Sequence, residues 1–227
     1  MICSVHQPNF IPYLGFFDKV KKSDVFVVYD TAQYSKNDFH NRNRIKTPQG
    51  AQWLTLPVSL HLGDRIQDVA TAPIESYRDK HLKTIIGAYK KAPFFADIFP
   101  LIENVYRQPV SHMVDITIPL LTVIIERLAP HCRIVLASEL SCDLNLRSTE
   151  ALVEIIKKVG ADTYLSGPGA RDYLEEPLFG AIGARVEWQD FHHPVYPQLW
   201  GGEFVPNLSV IDALFMLGFD GVKKLLT

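Results

Sequence analysis

Short apolar runs and helical patterns alternate along this chain. Residues 2–5 and 25–29 have the composition of buried strands, and the segment between them carries Leu14, Phe17 and Val20 at the spacing of one helical face. Two parallel strands joined by a helix make a β-α-β unit. We therefore predict such a unit at the start of the chain.

The same alternation returns in the second half. Strands are predicted over 133–136 and 163–165, with a helix over 151–159 between them that Gly160 ends. The middle of the chain is helical, with predicted helices over about 77–91, 95–106 and 113–128. This order predicts the α/β class: a mostly parallel sheet flanked by helices in a Rossmann-like, three-layer arrangement. We expect residues 1–227 to form a single α/β domain with a helical insertion or cap over about 74–130.

Polar side chains follow the first two predicted strands. Pro8 ends the first strand and biases Gln7 away from the helical region, so His6, Gln7 and Asn9 fall in a turn, while Asp30 follows the second strand. In open parallel sheets, ligands bind outside the carboxyl ends of the strands. The pattern is compatible with a ligand site and also with residues that only cap turns.

A polar segment over 34–52 is predicted to be a long functional loop, followed by a strand over 53–58. Four of its residues alternate amides with guanidinium groups: Asn41, Arg42, Asn43 and Arg44. Such groups suit bidentate binding of a phosphate or carboxylate, and a solvated basic loop is the alternative. The neighbouring Tyr34 and His40 favour the ligand loop.

Two further segments are candidate binding elements. After the strand over 163–165, a turn containing Ser166, Gly167, Gly169 and Arg171 is predicted to lead into a helix and to bind an anion, unless it is an ordinary β-α turn. Residues 190–198 combine aromatic residues, prolines and two histidines, which suits a rigid pocket wall. Because adjacent residues of an extended chain face opposite ways, at most one of the two histidines is expected to face a site.

Composition narrows the class of protein. The hydrophobic share of 47% and the charged share of 21% are typical of globular proteins, and no apolar run reaches the ~20 residues of a membrane span. A net charge of −2 gives no general affinity for polyanions. The three cysteines lack the spacing of a metal site, so no metal ligands are predicted. The first residues lack the basic region of a signal peptide, so we expect a cytoplasmic protein without membrane contact.

Several long strings in this order resemble the WbqC-like protein family. They are HQPNFIPYLGFFDK at 6–19, NRNRIKTP at 41–48, YKKAP at 89–93, GADTYLSG at 160–167 and QDFHHPVYPQ at 189–198. The resemblance covers nearly the whole chain. It implies a bacterial protein of O-antigen and other surface-polysaccharide sugar biosynthesis. The implied activity is N-acyl or aminoacyl (glycyl) transfer that forms an amide on a nucleotide-linked amino sugar.

That chemistry needs a base and donors for an oxyanion. Under the implied activity, His6 is the candidate base, Asp30 orients it, and Gln7 assists. The expected substrate-binding residues are Asn9, Tyr13, Tyr34, Asn41, Arg42, Asn43, Arg44, Ser166, Gly167, Gly169, Arg171, His193, Tyr196 and Gln198. The expected partners are a nucleotide-linked amino sugar and an acyl or aminoacyl donor.

The donor and its activation stay open. ATP with Mg²⁺ is one option, although Tyr13, Leu14, Gly15 and Phe16 occupy the place of the HIGH motif of nucleotidylyl transferases without its histidines. A charged tRNA is another, and no other nucleic acid is expected. The alternative functions are a nucleotidyltransferase-like enzyme with Asp30 as metal ligand and a non-catalytic sugar-nucleotide-binding protein. Aromatic residues near Trp200 are compatible with a homo-oligomer surface or with a role in the core or in a pocket.

Overall fold

The central feature is a parallel sheet, seen in a computed structural model that describes residues 1–226. In chain order the strands are Ile2–His6 (β1), Val25–Val28 (β2), Arg42–Thr47 (β3), Gly50–Thr55 (β4), Val58–Ser59 (β5), Ala70–Thr71 (β6), Arg133–Leu136 (β7), Thr163–Ser166 (β8) and Arg185–Trp188 (β9). The α-helices are Leu14–Lys21 (α1), Arg78–Tyr89 (α2), Phe95–Tyr106 (α3), Val114–Leu128 (α4), Ser148–Val159 (α5), Glu176–Gly180 (α6) and Val210–Leu225 (α7).

The sheet has the order β7-β2-β1-β8-β9, and all of its strand pairs are parallel. Counted in chain order, this is 3-2-1-4-5, so the connections reverse direction between β1 and β8. In doubly wound folds this switch point is where neighbouring loops diverge and leave a crevice. The predicted three-layer α/β class is confirmed.

The two faces of the sheet carry different helices. Along β2, Val25 and Val27 pack into a cluster with residues of α5 and α6, whereas Phe26 and Val28 pack into a larger cluster with α1, α4 and α7. This alternation follows from the period of two in a strand. It explains why β1 and β2 are apolar along nearly their whole length. The proposed division into one domain with a helical cap stays a prediction.

The predicted loop over 34–52 is wrong in its second half. Residues of β3 and β4 pair as an antiparallel hairpin, with Arg44 opposite Trp53. The strand pattern is hidden in the sequence because three buried residues of β3 are polar: Asn43, Lys46 and Thr47. The Asn43 amide donates to the carbonyl of Ile11 at 2.8 Å. The predicted strand over 53–58 is divided accordingly between β4 and β5.

The segment after β8 also differs from the prediction. It forms a short 3-10 helix, Pro168–Ala170, and the next α-helix begins only at Glu176. Strand β9 was not predicted, because its alternation of polar and apolar residues extends over only four positions. By contrast, α3, β7 and the left-handed Gly160 at the end of α5 lie where the sequence indicates.

Candidate functional site

A cavity of about 920 Å³ opens at the carboxyl ends of β1 and β8. Its buried lining residues include Val5, Lys19, Ile155, Tyr164 and Ser166, and these form its floor. The volume lies within the range of small-molecule sites. The cavity therefore occupies the switch point where this class of sheet binds ligands.

Five of the predicted site residues meet in this cavity: His6, Gln7, Ser166, Gly167 and Gly169. The first two follow β1, and the other three belong to the end of β8 and the turn after it. Because β1 and β8 are adjacent, residues about 160 positions apart in the chain share one cavity. The structure thus brings the turn that contains His6 and Gln7 next to the turn that contains Gly167 and Gly169.

His6 is an uncharged imidazole at neutral pH. Its Nδ1 lies 2.9 Å from the carbonyl oxygen of Gln7, which can only accept, so Nδ1 carries the hydrogen and Nε2 carries the lone pair. The ring also packs edge-on against Phe16, with centroids 4.8 Å apart. Burial first, and then the nearby charge of Lys19, lower the pKa of His6 to about 3.

Gln7 is held by His40, which the sequence indicated only as a neighbour of the predicted ligand loop. The backbone N–H of Ser35 donates to His40 Nδ1 at 3.3 Å, so the neutral ring donates from Nε2 to Gln7 Oε1 at 3.0 Å. Burial lowers the pKa of His40, in keeping with a neutral ring. This contact fixes the Gln7 amide with its oxygen engaged, which leaves its N–H₂ group free to donate, and Gln7 lines the cavity.

Lys19 is the main site residue that sequence reasoning missed. It lies on α1, lines the cavity and is only 4% exposed, and its Nζ donates to the carbonyl of Val5 at 3.4 Å. Burial lowers the pKa of its amine to about 7. In the sequence, a lysine within an amphipathic helix is typical of a solvated face, and only the neighbouring strands reveal that this one is enclosed.

Asp30 does not orient His6. Its carboxylate accepts from the Ser138 backbone N–H at 3.0 Å and from the Ser138 hydroxyl at 2.6 Å, which ties the end of β2 to the turn after β7. It is buried and does not line the cavity. As an isolated carboxylate it is a poor basis for a metal site, and within residues 1–226 no three side chains of His, Cys, Asp or Glu are grouped as metal ligands.

The predicted ligand loop has a structural role instead. Asn41 donates to the carbonyl of Leu56 at 2.9 Å, and Asn43 donates to Ile11 as described above. Arg42 lies over the Trp53 ring at 4.5 Å, while Arg44 approaches the carbonyl of Pro206 at 3.4 Å. None of these four residues lines the cavity. The side-chain amides of Asn41 and Asn43 satisfy buried backbone carbonyls. The polar composition of the segment alone does not distinguish this role from ligand binding.

Four other predicted binding residues also lie outside the lining. Asn9 is partly buried, and Tyr13 packs its ring edge-on against Phe191. Tyr34 packs against His40, with ring centroids 5.2 Å apart, so it can support the contact between His40 and Gln7 without touching a ligand. Arg171 lies over the exposed side of Trp188 at 4.5 Å rather than in the glycine turn.

Residues 190–198 lie apart from the cavity, and the predicted binding residues among them are buried or half-buried. His193 packs against Phe204, and its Nδ1 lies 2.9 Å from the carbonyl of Pro194. Gln198 accepts from Lys46 Nζ at 3.2 Å and from the Val205 backbone N–H at 3.0 Å. Burial, together with the nearby carboxylate of Asp212, raises the pKa of Tyr196. These three predicted binding residues do not line the cavity.

The rim of the cavity carries both signs of charge. Arg65 and Arg147 line it together with three acidic residues, Asp64, Asp68 and Asp143. Arg147 also donates to the carbonyl of Leu144 at 2.7 Å, so part of its guanidinium is occupied. The rim residues come from loops whose sequences carry no motif, and their position at one opening follows only from the fold.

Fold and cavity together define a three-layer α/β protein with a ligand-sized site at the switch point of its sheet. Residues 7–224 match the WbqC-like protein family, and the chain belongs to that family. It is 35% identical over 221 residues to the uncharacterized protein Rv1507c of Mycobacterium tuberculosis, covering 96% of this chain and 94% of that protein. Family membership is consistent with a polysaccharide-associated role. Within residues 1–226, every helix is too short or too polar to cross a bilayer.

Proposed function

We propose that the protein is a transferase that forms an amide on the amino group of a nucleotide-linked amino sugar. The observation that carries this proposal is the meeting of His6, Gln7 and Lys19 with the turn after β8 in one cavity. A site at the carboxyl end of an open parallel sheet suits a nucleotide-linked ligand. The transfer chemistry comes from the family resemblance, and a cavity of small-molecule size beside these side chains supports it.

The reaction needs an uncharged amine as nucleophile and hydrogen-bond donors for the oxyanion of the tetrahedral intermediate. Gln7 supplies the donor, because His40 occupies its oxygen and leaves its N–H₂ group free. His6 contributes an acceptor, since its lone pair is on Nε2. We assign His6 the role of orienting the sugar amine rather than that of accepting the amine's proton. A pKa of about 3 makes His6 a weak base at neutral pH.

The donor is proposed to be glycine or a related amino acid, activated by ATP with Mg²⁺ or carried on a tRNA. The experiment is mass spectrometry of the purified protein incubated with a panel of nucleotide-linked amino sugars and, in separate arms, with glycine plus ATP and Mg²⁺ or with glycyl-tRNA. We expect a glycyl mass increment on one sugar. Absence of any increment in both arms, with the sugar nucleotide still bound, would favour a non-catalytic binding protein.

Variants locate the reaction in the cavity. Gln7→Ala is expected to lower the rate by about 10² to 10³ through loss of an oxyanion donor. The matched control is Gln52→Ala, because Gln52 lies on the exposed face of β4 and has no role in the site. Equal rates for wild type, Gln7→Ala and Gln52→Ala would contradict the assignment of Gln7.

A further inference from the structure

Two buried lysines of this chain have opposite surroundings. Lys46 is 5% exposed and has three acceptors near its Nζ, the side chain of Gln198 at 3.2 Å and the carbonyls of Gly201 at 2.9 Å and Glu203 at 3.4 Å. Lys19 is as deeply buried but has one acceptor, the carbonyl of Val5 at 3.4 Å. Lys46 thus has the hydrogen bonds expected of a structural lysine, and Lys19 does not.

No negative charge compensates the burial of Lys19. Among residues 1–226, no carboxylate oxygen lies within 4.0 Å of its Nζ. The adjacent carboxylate of Asp18 is bound instead to Lys22 at 2.9 Å and to the Gln189 amide at 2.7 Å. An ammonium without a partner is costly in such a place, so the uncharged amine is favoured.

The groups that face Lys19 are uncharged at neutral pH. From β1 these are His6, whose pKa is lowered to about 3, and the Cys3 thiol, whose pKa is raised to about 12. After β8, a carbon placed on Gly167 would lie 4.0 Å from Lys19 Nζ and 4.0 Å from the uncharged side-chain oxygen of Gln189. The charged residues Asp64, Arg65, Asp68, Asp143 and Arg147 belong to the same cavity but do not pair with Lys19.

We propose that Lys19 is the catalytic base of this site, and this proposal rests on the proposed function. The neutral Lys19 amine takes a proton from the sugar ammonium, which gives a lysine ammonium and a free sugar amine. The nitrogen lone pair then attacks the acyl carbon, and a C–N bond forms. The bond to the leaving group breaks with its electron pair, the second nitrogen proton passes to that group, and Lys19 returns its own proton to solvent.

The protonation of Lys19 is measured first, without substrate. Lysine labelled with ¹³C at Cε is followed by NMR from about pH 5 to about pH 11, and the Lys19 signal is assigned by its loss in Lys19→Met. Methionine is apolar and of similar length, so this variant is expected to fold. We expect one lysine to titrate near neutral pH, well apart from the exposed ones. Titration of Lys19 together with the surface lysines would overturn the proposal.

The second measurement uses the transfer reaction. Lys19→Met and Lys19→Arg are both expected to lower kcat by about 10² to 10⁴, with little change in the Kd of the sugar nucleotide, because neither can take up the proton. The control is Lys83→Met, since Lys83 is exposed on α2. Full activity of Lys19→Arg would contradict a base role. If the wild type transfers nothing, the proposed function fails, whereas the NMR titration still reports on Lys19 itself.

Discussion

Burial in the cavity disfavours the charged form of two basic side chains at once. His6 of β1 and Lys19 of α1 line the same cavity, and the positive charge of Lys19 further disfavours a proton on His6. The inner part of the site therefore offers acceptors and donors, whereas the charged residues lie at its rim. Such a site suits a reaction in which an ammonium must lose a proton before it reacts.

Replacing His6 by Gln is expected to make the protein less sensitive to acid. The pKa of His6 is about 3 in the folded protein and near 6.5 in an unfolded chain. Between these values the unfolded state binds more protons, so the free energy of unfolding of the wild type falls as the pH drops from 6.5 to 3, by at most about 5 kcal/mol. His6→Gln lacks this contribution.

Urea unfolding at a series of pH values measures this difference. The control is His192→Gln, because the His192 side chain is almost fully exposed. Its free energy of unfolding should follow the wild type throughout the acid range. An identical acid dependence in wild type and His6→Gln would contradict the neutral state of His6 in the folded protein.

Part of the site could be predicted residue by residue. Pro8 ends β1 in the sequence, so His6 and Gln7 could be placed at a strand end, and the fold brings them to the cavity. Lys19 could not be found this way, because its burial depends on β8, far along the chain. The prediction of Asn41 and Asn43 as ligand-binding residues failed for a related reason. Both donate to buried backbone carbonyls, and the sequence does not distinguish an asparagine in this role from one that binds a ligand.

At the scale of elements, glycine geometry decides where helices end or bend. Gly160 ends α5 in the left-handed region, as its position after an apolar helix indicates. Gly218 interrupts α7 with φ 65° and ψ 179°, a conformation that is essentially restricted to glycine. A carbon added there would lie 2.8 Å from the Phe94 ring, so the bend also brings α7 close to the start of α3.

Gly218→Ala is expected to lower the free energy of unfolding by about 1–3 kcal/mol, because alanine must be strained there and must displace Phe94. Gly87→Ala is the matched control. Gly87 lies inside α2 with no atom near its missing side chain, so this change should raise stability by about 0.5–1 kcal/mol. Thermal or urea unfolding measures whether each substitution raises or lowers the free energy of unfolding. A destabilised Gly87→Ala, or an unaffected Gly218→Ala, would contradict the described geometry.

Elements with a clear apolar period were predictable, and elements with polar inward positions were not. The helix α3 and the strand β7 follow from their patterns alone. In β3 the buried side of the strand includes Asn43, so the alternation that identifies a strand is lost. The helix predicted after Gly169 fails because the chain makes only a 3-10 turn there, and no anion-binding helix start follows.

At the scale of the whole molecule, strand order creates the site. The neighbours of β1 are β2 on one side and β8 on the other, so the connections leave it in opposite directions. The crevice between the ends of β1 and β8 then collects residues from distant parts of the chain. The sequence predicts a parallel sheet and polar strand ends. The pairing of β1 with β8 could not be predicted, because it depends on contacts between residues far apart in the chain.

The central claim, that a nucleotide-linked amino sugar binds in this crevice, is tested most directly by filling it. Gly167 has an extended backbone that any residue adopts, and its missing side chain points toward Lys19 and Gln189. Gly167→Leu is therefore expected to fold and to place its side chain in the cavity. Gly180→Leu, at an exposed position of α6 outside the lining, is the control.

The measurement is calorimetric titration of wild type, Gly167→Leu and Gly180→Leu with the panel of nucleotide-linked amino sugars. We expect wild type and Gly180→Leu to bind the same sugar nucleotide with equal Kd, and Gly167→Leu to bind it at least about tenfold more weakly, a loss of about 1.4 kcal/mol or more. Equal binding by all three proteins would place the ligand elsewhere and contradict the account.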